Sequence, residues 1–240
     1  MNLILLYQDD FVDNITDTAG RVRLTGRRLR HVREVLRVTV NDELCVGLLN
    51  GKIGAGRVSL LDDSMLEMEV RLEQSPPPPL PVTLIMALPR PKVLRRVLRS
   101  AAALGVKRIM LLNCFRVEKS FWQSPFLEQE TIIEQLTLGL EQARDTVLPV
   151  VTQCRQFKPF VEDELPGLIR NTAALAAHPA AAGSCPRDMK GQVTLIIGPE
   201  GGFIPYEIEK LRACGCRLVS LGERILNVET AVPSLLSRIF

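Results

Sequence analysis

The sequence predicts an α/β protein in two parts, a small β-rich domain followed by a larger domain on a mostly parallel sheet. Three observations predict it. A proline run, Ser75-Pro76-Pro77-Pro78-Pro79-Leu80-Pro81, divides the chain. Consecutive prolines cannot continue a helix or occupy a central strand, and they form a stiff extended spacer. Before that run, short alternating apolar segments are separated by Gly, Asn and Asp; after it, apolar runs alternate with amphipathic helical segments. The second pattern is that of βα units with helices on both faces of a parallel sheet.

In the first domain, residues 1–75, the segments LILLYQ, RVRLTG, ELCVGLLNG, GAGRVSLLD and MLEMEVRLE read as strands. Gly26–Val38 is the exception: His31-Val32, Val35-Leu36 and Val38 fit a helix better. A small barrel with one helix follows. In the second domain, residues 76–240, strands are expected at 82–88, 107–113, 172–178, 193–198 and 217–222. Helices are expected at Lys92–Leu104, Glu128–Arg144, Pro205–Cys214 and Val228–Phe240, the third with proline near its first turn.

Composition sets the class. A chain of 240 residues with 46% hydrophobic and 24% charged content is globular. No stretch approaches the roughly 20 apolar residues that span a bilayer. The start, MNLILLYQDD, lacks the basic region of a signal peptide. The cysteines at 45, 114, 154, 185, 214 and 216 are then expected as reduced thiols of a cytoplasmic protein. Cys214 and Cys216 form a C-x-C with no second pair to complete a zinc site, so no metal is expected.

Net charge is only +3, but the basic residues are concentrated. Between Arg21 and Arg37 lie seven arginines and one acid, and between Arg90 and Arg108 seven basic residues and none. Such stretches suit phosphate contacts, or are solvated faces balanced by acids elsewhere. Lys92, Arg95, Arg96 and Arg99 fall on one helical face, opposite Val93, Leu94, Val97, Leu98, Ala101 and Ala102. Their mutual repulsion needs either RNA phosphate or neighbouring acids to offset it.

Two loops at predicted strand ends carry the chemistry. Gly198-Pro199-Glu200-Gly201-Gly202 follows the strand VTLII, and its glycines permit close backbone approach. It matches neither dinucleotide fingerprint nor P-loop, and taken alone it also fits a tight turn. The second loop, Ser220–Ala231, mixes apolar and backbone-accessible residues that suit a flat heteroaromatic ring. Asn227, Glu229 and Thr230 also suit capping of the last helix.

These two motifs, in this order and spacing, resemble the RsmE family of ribosomal RNA uridine-N3 methyltransferases, of the SPOUT class. The segments R-H-V-x-x-V-L-R (30–37) and V-N-D-E-L (40–44), Leu104-Gly105-Val106 and Glu141-Gln142 also match. The resemblance implies a trefoil-knotted α/β domain preceded by a PUA-like barrel, and a homodimer acting on 16S ribosomal RNA or the assembled small subunit. It implies S-adenosyl-L-methionine held by three loops, with Leu175, Ala177, His178, Gly198, Glu200, Gly201, Gly202, Leu221, Gly222, Ile225, Leu226 and Thr230 as its contacts. Arg224 and Arg144 are implied for charge stabilisation or phosphate contact, and Glu229 as proton acceptor, helix cap or adenosine-orienting group. Arg27, Arg28, Arg30, Arg33, Arg37, Arg95, Arg96, Arg99 and Arg116 are the implied RNA contacts.

The match departs on the substrate side. Asn227 stands where the family usually has arginine, and Asp145 where the long helix usually carries another. Arg99, Ser100 and Ala103 replace polar and acidic residues of the first helix. The GPEGG loop is unaffected. A methyltransferase of another RNA, or a non-catalytic RNA-binding relative, are therefore the alternatives.

Overall fold

The computed structural model describes residues 3–13 and 19–240, so the first two residues of the expected non-signal start lie outside the described ones. Contacts divide the chain into two compact units: Met1–Pro78 with Leu140–Leu148, and Pro79–Gly139 with Pro149–Phe240. The break falls inside the proline run, and the short segment 140–148 groups with the first unit.

The first unit contains β1 (Ile4–Leu6), β2 (Ala19–Leu24), α1 (Gly26–His31), β3 (Glu43–Leu48), β4 (Ile53–Leu61) and β5 (Leu66–Gln74). Their order in the sheet is β1-β3-β4-β5-β2, with β1 and β3 parallel and the other ladders antiparallel. Along β5, and in the second half of β2, buried and more exposed residues alternate, as a sheet with one covered face requires. Ile4, Leu6, Val22, Leu24, Val46, Val58, Met68 and Val70 form the core with Leu29 and Val32 of the helical segment. The sheet is a curled half-barrel, with β1 and β2 at the two ends of its strand order among the described residues. Phe11 bridges Val22 of β2, and the Val12 N–H donates to the Arg21 carbonyl at 2.9 Å. The helix expected to Val38 is α1 followed by a wider π turn over Val32–Leu36, ended by Arg37 in the left-handed region.

The second unit holds β6 (Val82–Ala87), α2 (Pro91–Ala103), β7 (Arg108–Leu112), most of α3 (Gln129–Ala143), β8 (Val150–Cys154), α4 (Phe157–Pro159), α5 (Leu165–Ile169), β9 (Ala173–Ala177), β10 (Val193–Ile197), α6 (Pro205–Ala213), β11 (Arg217–Val219) and α7 (Val228–Ile239). The sheet order is β11-β9-β10-β6-β7-β8, and every ladder is parallel. β10 lies between β9 and β6 and all five of its residues are buried. Strand β8 is an addition to the sequence expectation. It sits at an edge with mostly exposed residues, so it carries little hydrophobic signal. The helical stretch through α4 and α5 is likewise additional, its turns interrupted by a π segment at Phe160–Glu164.

Helix α2 buries Leu94, Val97, Leu98, Ala101 and Ala102 and packs against α7, which buries Val228, Val232, Leu235, Leu236 and Ile239. The C-x-C pair is a helix end. Gly215, at φ +95°, follows α6, and the Cys216 N–H returns to the Leu211 carbonyl at 3.0 Å. This closure satisfies otherwise unpaired carbonyls and needs a residue without a Cβ between the two cysteines. Among the described residues no cluster of His, Cys, Asp and Glu suits a metal, and no helix is long and apolar enough to cross a membrane.

Candidate functional site

Register places the site. Ala177 at the end of β9 pairs with Ile197 at the end of β10 and with Val219 at the end of β11. Three adjacent parallel strands therefore stop level, and the loops after them leave from one line. The carboxyl ends of parallel strands are where open α/β sheets bind ligands. Here the three loops and α7 enclose a pocket of about 320 Å3, within the range of small-molecule sites. Ile197, Phe203, Val219, Leu226, Val228 and Leu235 supply apolar walls.

Backbone bonds tie the loops to one another and to the strand ends. The His178 N–H donates to the Val219 carbonyl at 2.9 Å, and Ser220 exchanges backbone bonds with Gly183 and Cys185. His178 Nδ1 accepts the Ala180 N–H at 3.2 Å, so the ring braces its own loop. GPEGG is a tight turn as well as a pocket wall, since the Gly202 N–H donates to the Pro199 carbonyl at 2.8 Å. Gly202 has φ +73°, which any Cβ would strain. A Cβ on Gly201 would lie 3.0 Å from Arg116 Cδ. Glu200 Oε1 accepts the Arg90 N–H at 3.1 Å, tying this loop to the start of α2.

The candidate cofactor residues separate into two groups. Ala177, His178, Gly198, Glu200, Gly201, Gly202, Leu221, Gly222, Ile225 and Leu226 all line the pocket. Leu175 lies inside β9, paired with Leu195 and only 1% exposed, and Thr230 donates its N–H to Asn227 Oδ1 at 2.8 Å; neither lines it. Asn227 is thus the cap of α7, which gives a structural use to the residue that replaces the family arginine.

Of the charged candidates, exposed Arg224 is on the pocket wall. Glu229 is not; its carboxylate pairs with Arg96 at 3.0 Å. Arg144 ends α3 in the left-handed region, and the adjacent Asp145 is 3% exposed and accepts the Val147 N–H at 3.0 Å. Arg116, implied as an RNA contact, lies on the pocket wall and donates to the Gly201 carbonyl.

The α2 arginines find neighbours within the protein. Besides the Arg96–Glu229 pair, Arg95 stacks over Phe126, 5.0 Å from the ring centroid, and Arg99 donates to Gln135 at 2.8 Å. In the first unit Arg27 pairs with Glu141 at 3.2 Å, Arg28 with Asp10 at 2.5 Å and Arg33 with Asp63 at 2.6 Å. Arg30 and Arg37 are exposed. The second explanation of the basic stretches, acids elsewhere in space, therefore accounts for part of them.

One residue that the sequence reading passed over organises the site. Glu207 is 2% exposed, and its two oxygens accept the N–H of Phe115 at 2.7 Å and of Ile204 at 3.0 Å. It joins the loop after β7 to the start of α6. Its signal in the sequence is its place three residues into a helix, where a carboxylate reaches back to the first free N–H. Burial, with Glu207 nearby, pushes the Cys114 thiol far up, and burial also raises Cys185, so neither serves as a thiolate nucleophile at neutral pH.

Residues 76–240 match the RNA methyltransferase domain family. The chain belongs to this family. Ribosomal RNA small subunit methyltransferase E of Treponema pallidum is 30% identical over 96% of this chain and 87% of its own length. The enzyme of the same name from Synechocystis sp. is 30% identical over 91% of this chain and 72% of its own. The crystal structure of the Neisseria gonorrhoeae enzyme of that name, bound to S-adenosyl methionine, shares the fold at TM-score 0.76 and 22% identity, over 99% of this chain and 95% of that one. The pocket lies wholly within the matched residues of the methyltransferase domain.

Proposed function

We propose that this chain is an S-adenosyl-L-methionine-dependent methyltransferase that acts on N3 of a uridine in 16S ribosomal RNA. The observation that carries the reading is the pocket at the level ends of β9, β10 and β11, in a chain of the RNA methyltransferase family. Its residues fit the cofactor: apolar walls suit an adenine ring, and the three loops offer backbone groups where Gly198, Gly201, Gly202 and Gly222 leave room. When bound, the cofactor supplies a methyl group activated on a sulfonium. Ala177, His178, Glu200, Leu221, Ile225 and Leu226 hold and orient it, with Leu175 and Thr230 supporting the strand and the helix behind them.

The remaining work falls to charged side chains. Because displacement at a methyl group depends chiefly on alignment, the rigid loop bases are the main catalytic contribution. Uracil N3 carries a proton at neutral pH, so the base must be exposed and its proton removed. Arg224, on the wall, stabilises negative charge on the uracil carbonyl oxygens. Glu229 accepts the proton once its pair with Arg96 opens, and Arg144 contacts phosphate. The β-rich domain, residues 1–75, is a PUA-like barrel that contacts RNA through Arg27, Arg28, Arg30, Arg33 and Arg37, and Arg95, Arg96, Arg99 and Arg116 are RNA contacts of the larger domain. The larger domain, 76–240, is a SPOUT trefoil knot, supported by the insertion of β10 between β9 and β6. The enzyme works as a cytoplasmic homodimer.

Transfer of labelled methyl from the cofactor to small subunits of a deletion strain, followed by nucleoside mass spectrometry, tests this. Recovery of N3-methyluridine is expected. A different methylated nucleoside assigns the enzyme to another RNA position, and absence of transfer with no calorimetric cofactor binding rejects the reading.

A further inference from the structure

We propose that Phe115 is a substrate-contact residue: its ring stacks on an unstacked base of the RNA beside the methyl-transfer pocket. This rests on the functional reading above. The turn Cys114–Val117 is closed by the Val117 N–H donating to the Cys114 carbonyl at 3.0 Å. Its two outer residues are buried, whereas Phe115 at the tip is 77% exposed. The other tip residue, Arg116, lines the pocket and donates to the Gly201 carbonyl. One turn therefore presents an aromatic ring to solvent and a guanidinium to the pocket.

The turn is fixed in place. The buried Glu207 carboxylate binds the Phe115 N–H at 2.7 Å and the Ile204 N–H at 3.0 Å, so the ring is anchored to the element that follows GPEGG. The same carboxylate caps the start of α6 through Ile204, so the backbone beneath the exposed ring is held by an element of the pocket's own unit. A base drawn out of its stack to expose N3 loses stacking on both faces, and aromatic side chains replace it. Arg224 and the exposed Ile225, both on the pocket wall, add a cation and an apolar surface at the same pocket.

RNA affinity of the wild type and of Phe115→Ala, Phe115→Leu and Phe115→Trp, by filter binding to small-subunit RNA, tests the proposal. Cofactor affinity by calorimetry and mass by light scattering are measured on the same samples. Phe115→Ala and Phe115→Leu should weaken RNA binding by about 5- to 150-fold, the ~1–3 kcal/mol of one base stacked on an aromatic ring. Phe115→Trp should keep it, with cofactor affinity and mass unchanged in all three. Unchanged RNA affinity in Phe115→Ala or Phe115→Leu overturns the proposal. A lower mass overturns it in favour of contact between two copies, and lost cofactor affinity in favour of a pocket wall. Methyl transfer by the wild type, run alongside, tests only the functional reading, because a Phe115 effect on RNA affinity stands without it.

Discussion

Replacing Glu207 by alanine should loosen the joint between the loop after β7 and the start of α6. The carboxylate accepts two backbone N–H groups, from Phe115 at 2.7 Å and Ile204 at 3.0 Å, while 2% exposed. A hydrogen bond to a charged group contributes about 1.5–3 kcal/mol, so two give about 3–6 kcal/mol. Release of the carboxylate's own desolvation penalty offsets part of this. A net local loss of about 2–4 kcal/mol remains by this reckoning, which corresponds to about 30- to 1,000-fold faster opening. Hydrogen exchange followed by mass spectrometry reads it directly at the Phe115 and Ile204 amides, with the β3 amides of the first unit as the unaffected control. Glu207→Gln keeps one acceptor oxygen but sets its amide donor against the other N–H, and should fall between the two. Exchange at Phe115 and Ile204 unchanged in Glu207→Ala would refute the reasoning, because the two bonds would then carry no local stability.

Asn227→Ala removes the side-chain cap of α7 and should cost about 1 kcal/mol in urea unfolding, with Asn227→Asp close to the wild type; equal midpoints for all three would deny the cap. Gly202→Ala must hold a Cβ at φ +73°, at about 1–2 kcal/mol, and should lower cofactor affinity by calorimetry; unaltered affinity would remove that turn from the binding surface. The thiols give a pH dependence. Burial raises Cys154 from 9.0 to about 11 and Cys216 from 9.0 to about 12. In the unfolded chain they ionise first, so their contribution is complete below pH 9 and is lost as pH rises toward 12. Urea midpoints should decline more steeply across alkaline pH for the wild type than for Cys216→Ala, and parallel curves would count against the burial effect.

Much of the fold was legible along the chain because its signals are local. Period-two alternation marked the strands of the first unit, and apolar runs between helical stripes marked β6, β7, β9 and β10. The glycines of GPEGG and of the loop at 220–226 marked the pocket walls. What escaped lacked such signals. Strand β8 is an exposed edge paired with β7, and α4 and α5 are too short and irregular for a clear stripe. Glu207 looks like any acid early in a helix until its partner, 92 residues earlier in the chain, is brought to it.

The sequence by itself determined the α/β class, the nature of the two glycine loops and the basic face of α2, because each depends on neighbours within a few turns of chain. Tertiary structure alone decided how these parts are used. Strand order and parallel register bring Ala177, Ile197 and Val219 level, so that three distant loops make one pocket. Packing of α2 on α7 sets Arg96 against Glu229, 133 residues away, and turns part of an apparent RNA-binding face into internal pairing. The physical reason is range. Local conformation follows from covalent geometry and periodicity, whereas electrostatic pairing and pocket shape follow from which surfaces the whole chain buries together.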